Sequence, residues 1–303
     1  MKQSAPPTAT VPGVSARFTI GQIVDLKKGK VLHFEQFIEE IASKEIIFVG
    51  EVHDNPEHHL IQIQIIQALI DHYGPVIVAM EIFQKPQQPS LDQYLKGDLT
   101  ERDFLSEVNW RGEWGIDYHL YRPILLMAKR NRSKVLAINA PRDIVKKVAR
   151  HGLKSLDSIE RKSLAKEIDL SNKAHRDYVH RVYTHHAHKD LKRFDYFYEA
   201  QCVWEDSMAH NLVEYLKRNG GKLIVIIGNG HIVNRFGVPE RTIRRLPVSM
   251  ATVMPYALNQ DEILKKEIAD YVWVTPSYPH RSPHVPRIGK GPYRAEGSNG
   301  HNP

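Results

Sequence analysis

The 303-residue chain has one cysteine, Cys202, so no internal disulfide can hold its fold. A single thiol also excludes cysteine-built zinc fingers and cysteine-ligated iron–sulfur clusters. No apolar run approaches the ~20 residues of a membrane-spanning helix. The opening tract MKQSAPPTATVPG contains no apolar signal core. Nor is positive charge concentrated. The 42 Lys+Arg against 35 Asp+Glu leave a net +7 that is scattered, apart from small clusters such as Arg241, Arg244 and Arg245. Nucleic-acid binders gather such charge into a stripe, so no nucleic-acid partner is expected. The chain is rich in one residue type that matters chemically. It has 17 histidines, the side chains of metal ligation and of proton transfer near neutral pH.

Strand and helix patterns alternate. Residues 1–16, rich in Pro, Thr, Ala and Ser, read as a flexible leader. Such a leader suits a spacer left by a removed signal or lipid-anchor segment, or a native disordered start. Residues 17–33 read as a hairpin around Lys27-Lys28-Gly29-Lys30. Phe34, Phe37, Ile38 and Ile41 share a helix face. Continuous apolar runs at 46–49, 76–80, 135–138 and 223–227 read as buried parallel strands, with a final strand at 249–254 ending at Pro255. The expected fold is therefore α/β, a mainly parallel sheet flanked by helices. Its core would be 17–156 and 219–275, interrupted by an all-helical insertion at 157–218. A Pro/Gly-rich tail follows at 276–303.

Three strands end in polar chemistry: Gly50-Glu51-Val52-His53, Met80-Glu81 and Gly228-Asn229-Gly230-His231. Ligands of parallel sheets sit beyond the carboxyl ends of the strands. Glu51, His53, Glu81, Asn229 and His231 are thus expected to line one cleft. Two carboxylates and two imidazoles suit acid–base catalysis or a divalent metal. A loop dense in aromatics runs from Trp110 through Trp114 to Tyr121. A run of histidines and tyrosines, His175 to His188, is patterned as a helix. His175, Tyr178, Tyr183 and His185 on that helix, and Tyr121 in the loop, are candidates for holding a transition metal or haem iron. No P-loop, dinucleotide fingerprint, zincin or nucleophile-elbow motif is present.

The segments Gly50-Glu51-Val52-His53-Asp54-Asn55 with His58, His59 and Gln62, then Met80-Glu81-Ile82-Phe83, open a longer ordered set. It continues through Trp110, Trp114, Gly115, Asp117 and Tyr121, and through Asn139-Ala140-Pro141-Arg142. Gln201, Trp204 and Met208-Ala209 follow, then Gly228-x-Gly230-His231 and Gly237-Val238-Pro239-Glu240-Arg241. Over about residues 45–245 this pattern resembles the ChaN-like haem-binding uptake proteins, bacterial lipoproteins of iron acquisition. These group with the TIKI/TraB proteins and erythromycin esterases. Glu205 departs conservatively from an Asp in the pattern. The resemblance implies haem as ligand, with a Tyr on the iron between paired monomers. It implies a periplasm-facing lipoprotein at the cell envelope, and an outer-membrane haem receptor or transporter as partner. Its esterase and TIKI branches imply a second reading, a hydrolase using Glu51, His53, Glu81 and His231 as catalytic or metal groups. There His53 would be the general base, oriented by Glu51.

Overall fold

The computed structural model describes residues 6–185 and 193–277, with the side chain of His185 outside that set. In chain order the elements begin with β1 (Ala9–Thr10), β2 (Arg17–Phe18), β3 (Ile23–Asp25), β4 (Lys30–Leu32) and α1 (Phe34–Ala42). Next come β5 (Ile46–Glu51), α2 (Pro56–Tyr73), β6 (Ile77–Gln84), α3 (Gln88–Lys96), α4 (Glu101–Glu107), α5 (Trp110–Glu113) and α6 (Arg122–Arg130). Then follow β7 (Val135–Asn139), α7 (Arg142–His151), α8 (Ser158–Lys162), α9 (Lys173–His185), α10 (Phe194–Asn219) and β8 (Leu223–Gly228). The last are α11 (Val238–Arg245), β9 (Met250–Leu258), β10 (Glu262–Ile263) and β11 (Tyr271–Pro276).

The main sheet has the order β4-β3-β11-β9-β5-β8-β6-β7. The ladders from β11 to β7 are all parallel, and the β3–β4 hairpin closes one edge antiparallel. The expected α/β class with a mainly parallel sheet is the class observed. Alternation along each strand feeds two helical layers. Ile46, Phe48 and Val225 face Trp204, Met208 and Leu212 of α10. Ile47, Val49 and Ile224 face the opposite layer, which holds Phe37 of α1, Ile65 of α2 and Leu125 of α6. Both faces are covered, which is why the strands read as unbroken apolar runs.

Four expectations need correction. Residues 9–10 of the supposed leader form β1, paired with β2 and with β10 in a small second sheet. Ala9 and Val11 are buried there, and that apolar burial fixes the segment. Phe18 belongs to this small sheet, so the hairpin proper is β3–β4. The strand expected to stop at Pro255 continues to Leu258. Proline is tolerated because pairing with β5 has already ended at Val253 and the Pro255 carbonyl instead accepts from Asn229 Nδ2 at 3.0 Å. The strand β11 lay unread before the Pro-rich tail. Finally, α10 is no insertion helix, since it packs on α7, α11 and β7 as part of the sheet's own layer. Of the tail, residues 278–303 lie outside the described residues.

The turn after β8 depends on Gly50 in the neighbouring strand. A Cβ at Gly50 would overlap the Asn229 side chain and lie 2.9 Å from Ile232 Cδ1. We predict that Gly50→Ala destabilises the protein by about 2 kcal/mol, as overpacking does. Urea denaturation against the wild type measures it.

Candidate functional site

The strand ends do converge. Glu51 closes β5 directly beside Gly228 of β8. His53 lies two residues on, in the turn into α2. That turn is set by Asn55, whose side chain accepts from Glu57 N at 3.0 Å, with Pro56 opening the helix. Glu81 sits where the β6–β7 register shifts between Met80 and Gln84. Such an irregularity re-aims a side chain. Glu81 Oε2 accepts from Gly228 N at 2.6 Å, and its carbonyl accepts from Asn139 Nδ2 at 3.0 Å.

From these anchors a buried chain of alternating carboxylates and imidazoles extends. Tyr121 OH donates to Glu51 Oε1, which also takes His53 Nδ1 at 2.6 Å. His53 Nε2 lies 3.9 Å from Glu81 Oε1, and His231 Nε2 lies 3.3 Å from the same oxygen. His231 Nδ1 faces Glu205 Oε1 at 3.2 Å. His175 Nε2 lies 3.2 Å from Glu205 Oε2, and Arg241 Nε donates to that oxygen at 3.2 Å. Flanking amides support the chain. Gln62 Nε2 donates to Glu51 Oε2 at 2.7 Å, and Gln201 Nε2 donates to Glu205 Oε1 at 2.8 Å. His59 donates through Nε2 to the His53 carbonyl at 3.0 Å.

Charge is shared so that each burial is compensated. Burial opposes the Glu51 charge, but His59, His53 and the Tyr121 hydroxyl together hold its carboxyl down at about 2. Burial likewise opposes Glu81, which His231 and His53 bring below the usual carboxylate range. Glu205, also opposed by burial, is held well below that range by His175, His231 and Arg241. The imidazoles respond in kind. Burial would strip the proton from His231, yet Glu81 and Glu205 lift it to about 10. Burial lowers His53 too, and Glu51 and Glu81 reverse the sign and raise it. Three anions thus meet the cations His231 and Arg241, with His53 between two of them. His53, 9% exposed, and His231, 7% exposed, are the members of the chain nearest solvent. Trp114 stands beside His53, with ring centroids 6.0 Å apart, and Trp204 beside His231 at 6.3 Å.

The structure thus brings together Glu51, His53, Glu81 and His231 as expected. Tyr121 and His175, expected as haem candidates, are buried members of this chain, where the Tyr121 hydroxyl donates to Glu51 and His175 faces Glu205. Tyr178 and Tyr183 lie half-buried on α9. Burial, and then Glu205, push the Tyr178 phenol up, against the phenolate an iron would need. The Tyr183 ring packs on Phe194 and Phe197 at 5.5 and 5.3 Å. His186 and His188 lie outside the described residues. Among those described, no group of three or more His, Cys, Asp or Glu is arranged to hold a metal ion. The expectation of a divalent metal is not supported. Each ring nitrogen of His53 and His231 already faces a carboxylate, so the four side chains do not offer their lone pairs to a common point.

Glu205 and Arg241 were missed as site residues. Their signal was a polar pair, Gln201 and Glu205, at i,i+4 on the otherwise apolar face of α10. A glutamate there spans from His231 to His175.

A protonated native His231 has a consequence for stability. Its proton is held up to about pH 10, whereas the unfolded imidazole titrates near 6.5. Its contribution is complete below the lower value and is lost as pH rises through the higher one. Urea denaturation should therefore give lower stability at about pH 9.5 than at about pH 6. In His231→Gln that fall should flatten, and stability at the lower pH should drop.

A family model described as haem-binding uptake, Tiki superfamily, ChaN matches residues 37–242. Among solved structures, ChaN of Campylobacter jejuni with cofacially bound haem is similar over 83% of this chain and 95% of that one. Its sequence identity is 20% and its TM-score 0.66, a likeness of fold. An erythromycin esterase mutant, EreC in its open conformation, covers 78% of this chain and 76% of its own at 13% identity, with a TM-score of 0.46. No curated protein sequence matches.

Proposed function

The chain belongs to the ChaN family of haem-binding uptake proteins in the Tiki superfamily, and on that premise we propose that it binds haem for uptake at the cell envelope. The observation that carries this is the extent of the family match. It takes in every member of the buried chain from Glu51 to Arg241. We place the protein on the periplasmic side as a lipid-anchored homodimer that passes haem to an outer-membrane receptor or transporter. Among the described residues no helix is long and apolar enough to cross a membrane. When bound, haem would present a flat apolar macrocycle, two propionates and an iron that takes an axial His or Tyr.

The buried chain favours a second reading, acid–base hydrolysis at the cleft mouth. In it His53, whose proton affinity burial lowers and Glu51 and Glu81 raise on balance, is the group that exchanges a proton with the substrate. Glu51 orients the ring through the 2.6 Å contact to Nδ1.

Haemin titration of the purified chain, followed at the Soret band, should give a saturable shift. Absence of any shift overturns the first reading. The second predicts turnover in a panel of carboxylic esters. Glu51→Gln and His53→Gln should each lower that turnover about 10²-fold or more. A chain that cleaves none of the esters counts against it.

A further inference from the structure

Charge that looks scattered along the chain separates once the fold assigns each helix to a layer. Residues 34–130, which build α1 to α6, hold 8 Lys+Arg against 16 Asp+Glu. Residues 142–245, which build α7 to α11, hold 21 Lys+Arg against 13 Asp+Glu. The first set covers one face of the sheet and the second covers the other. One helical layer is therefore acidic and the other basic, by the same margin.

On the basic layer the acids are already neutralised. Asp206 is buried against Arg241 and Arg245, Asp169 pairs with Arg244, and Glu160 takes Lys147 at 2.7 Å. Among the described residues, Lys162, Lys166 and Lys217 are exposed and make no ion pair. They stand on one continuous surface. Arg161 Nη2 donates to the Lys166 carbonyl at 3.2 Å, which joins α8 to the segment 163–172. Arg245 Nη2 donates to the Glu167 carbonyl at 3.0 Å, and Asp169 N donates to Asp206 Oδ2 at 2.8 Å. That segment is thereby laid across α11 and α10. His210 on α10 registers the local field. Burial lowers its proton affinity, Glu214 opposes the fall, and Arg245, Lys166 and Lys217 deepen it.

Three large aliphatic side chains emerge from the same layer: Ile159 at 76% exposure, Leu170 at 37% and Ile243 at 42%. One such residue alone is ordinary. Aliphatic side chains among lysines without acidic partners form the mixed surface of interfacial membrane contact. There the aliphatic groups enter the headgroup region and the ammonium groups meet lipid phosphates. A single-stranded nucleic acid would ask for aromatic stacking platforms, and among the described residues of this layer no Phe, Tyr or Trp is exposed.

We propose that the α7–α11 layer is a docking face for a membrane surface rich in anionic lipid. Lys162, Lys166 and Lys217 supply the electrostatic contact, and Ile159, Leu170 and Ile243 the apolar one. The acidic layer turns away, because the field that draws one layer in repels the other. The inference goes beyond haem binding and stands on charge and exposure alone.

The test is co-sedimentation of the purified chain with vesicles of phosphatidylcholine alone and of phosphatidylcholine mixed with phosphatidylglycerol. The wild type should bind only the mixed vesicles, and about 0.5 M salt should weaken that binding. The triple variant Lys162→Ala/Lys166→Ala/Lys217→Ala should weaken it at least tenfold, since each basic residue near such a surface is worth about fivefold. Ile159→Ser should weaken it at low and at high salt alike. Arg102→Ala, on the acidic layer and 92% exposed, should leave it unchanged. A wild type that ignores the mixed vesicles, or binds both kinds equally, overturns the proposal, as does a triple variant that binds as tightly as the wild type. A duplex oligonucleotide is titrated in parallel, and capture of the duplex without capture of vesicles also overturns it. A chain that binds haemin but no vesicle loses this face and keeps the haem reading.

Discussion

Compensation of buried charge governs the architecture around the strand ends. Glu51, Glu81 and Glu205 are each 3% exposed or less. An ionised carboxylate in such surroundings persists only with partners at hydrogen-bonding distance. No single element supplies them. Glu51 draws on α2 and on Tyr121 at the start of α6, Glu81 on the turn after β8, and Glu205 on α9 and α11. Removing one partner leaves a bare buried charge, which costs about 3–5 kcal/mol. The chain of contacts therefore ties both helical layers to the carboxyl edge of the sheet. Its alternation has a further effect, because an imidazole set between two carboxylates is held protonated and an excess proton is built into the native state.

The same constraint decides how much could be read from sequence. The strands were legible because a sheet covered on both faces writes continuous apolar runs, and β5, β6, β7 and β8 were placed within a residue or a few at each end. Glu51, His53, Glu81 and His231 were legible because they stand at the ends of those strands, beside glycines. Glu205 was not. It lies in the middle of α10 beside Asp206, where an acidic pair within a helix reads as a solvated position until the tertiary fold shows that both residues are covered. His175 and Tyr121 were legible only in part. Their chemistry was recognised, but helical spacing fixes only which residues share a face, not whether that face meets solvent or a buried carboxylate. β1 escaped notice because two residues carry no periodicity, and its pairing to β10 spans almost the whole chain.

The histidines, first a single excess, separate by their second partners. His53 and His231 sit between carboxylates on both ring nitrogens and are committed to charge balance. His58 and His59 serve the turn: His58 Nδ1 accepts from Val52 N at 2.9 Å, and His59 holds the His53 carbonyl. His119 has the Asp117 carboxylate on one nitrogen and stands in the open.

The aromatic loop forms a wall behind the charge chain. Trp110 meets Tyr121, whose hydroxyl donates to Glu51. The Tyr121 ring in turn lies edge-on to His59 at 4.6 Å. These side chains are buried and close-packed, where small displacements are transmitted rather than absorbed. Closing the open β3–β4 edge or trimming the small second sheet would leave this wall untouched. Loosening Trp110 would disturb wall and charge chain together. The aromatic loop thus has a structural reason for its density that is independent of either functional reading. It insulates a compensated charge network.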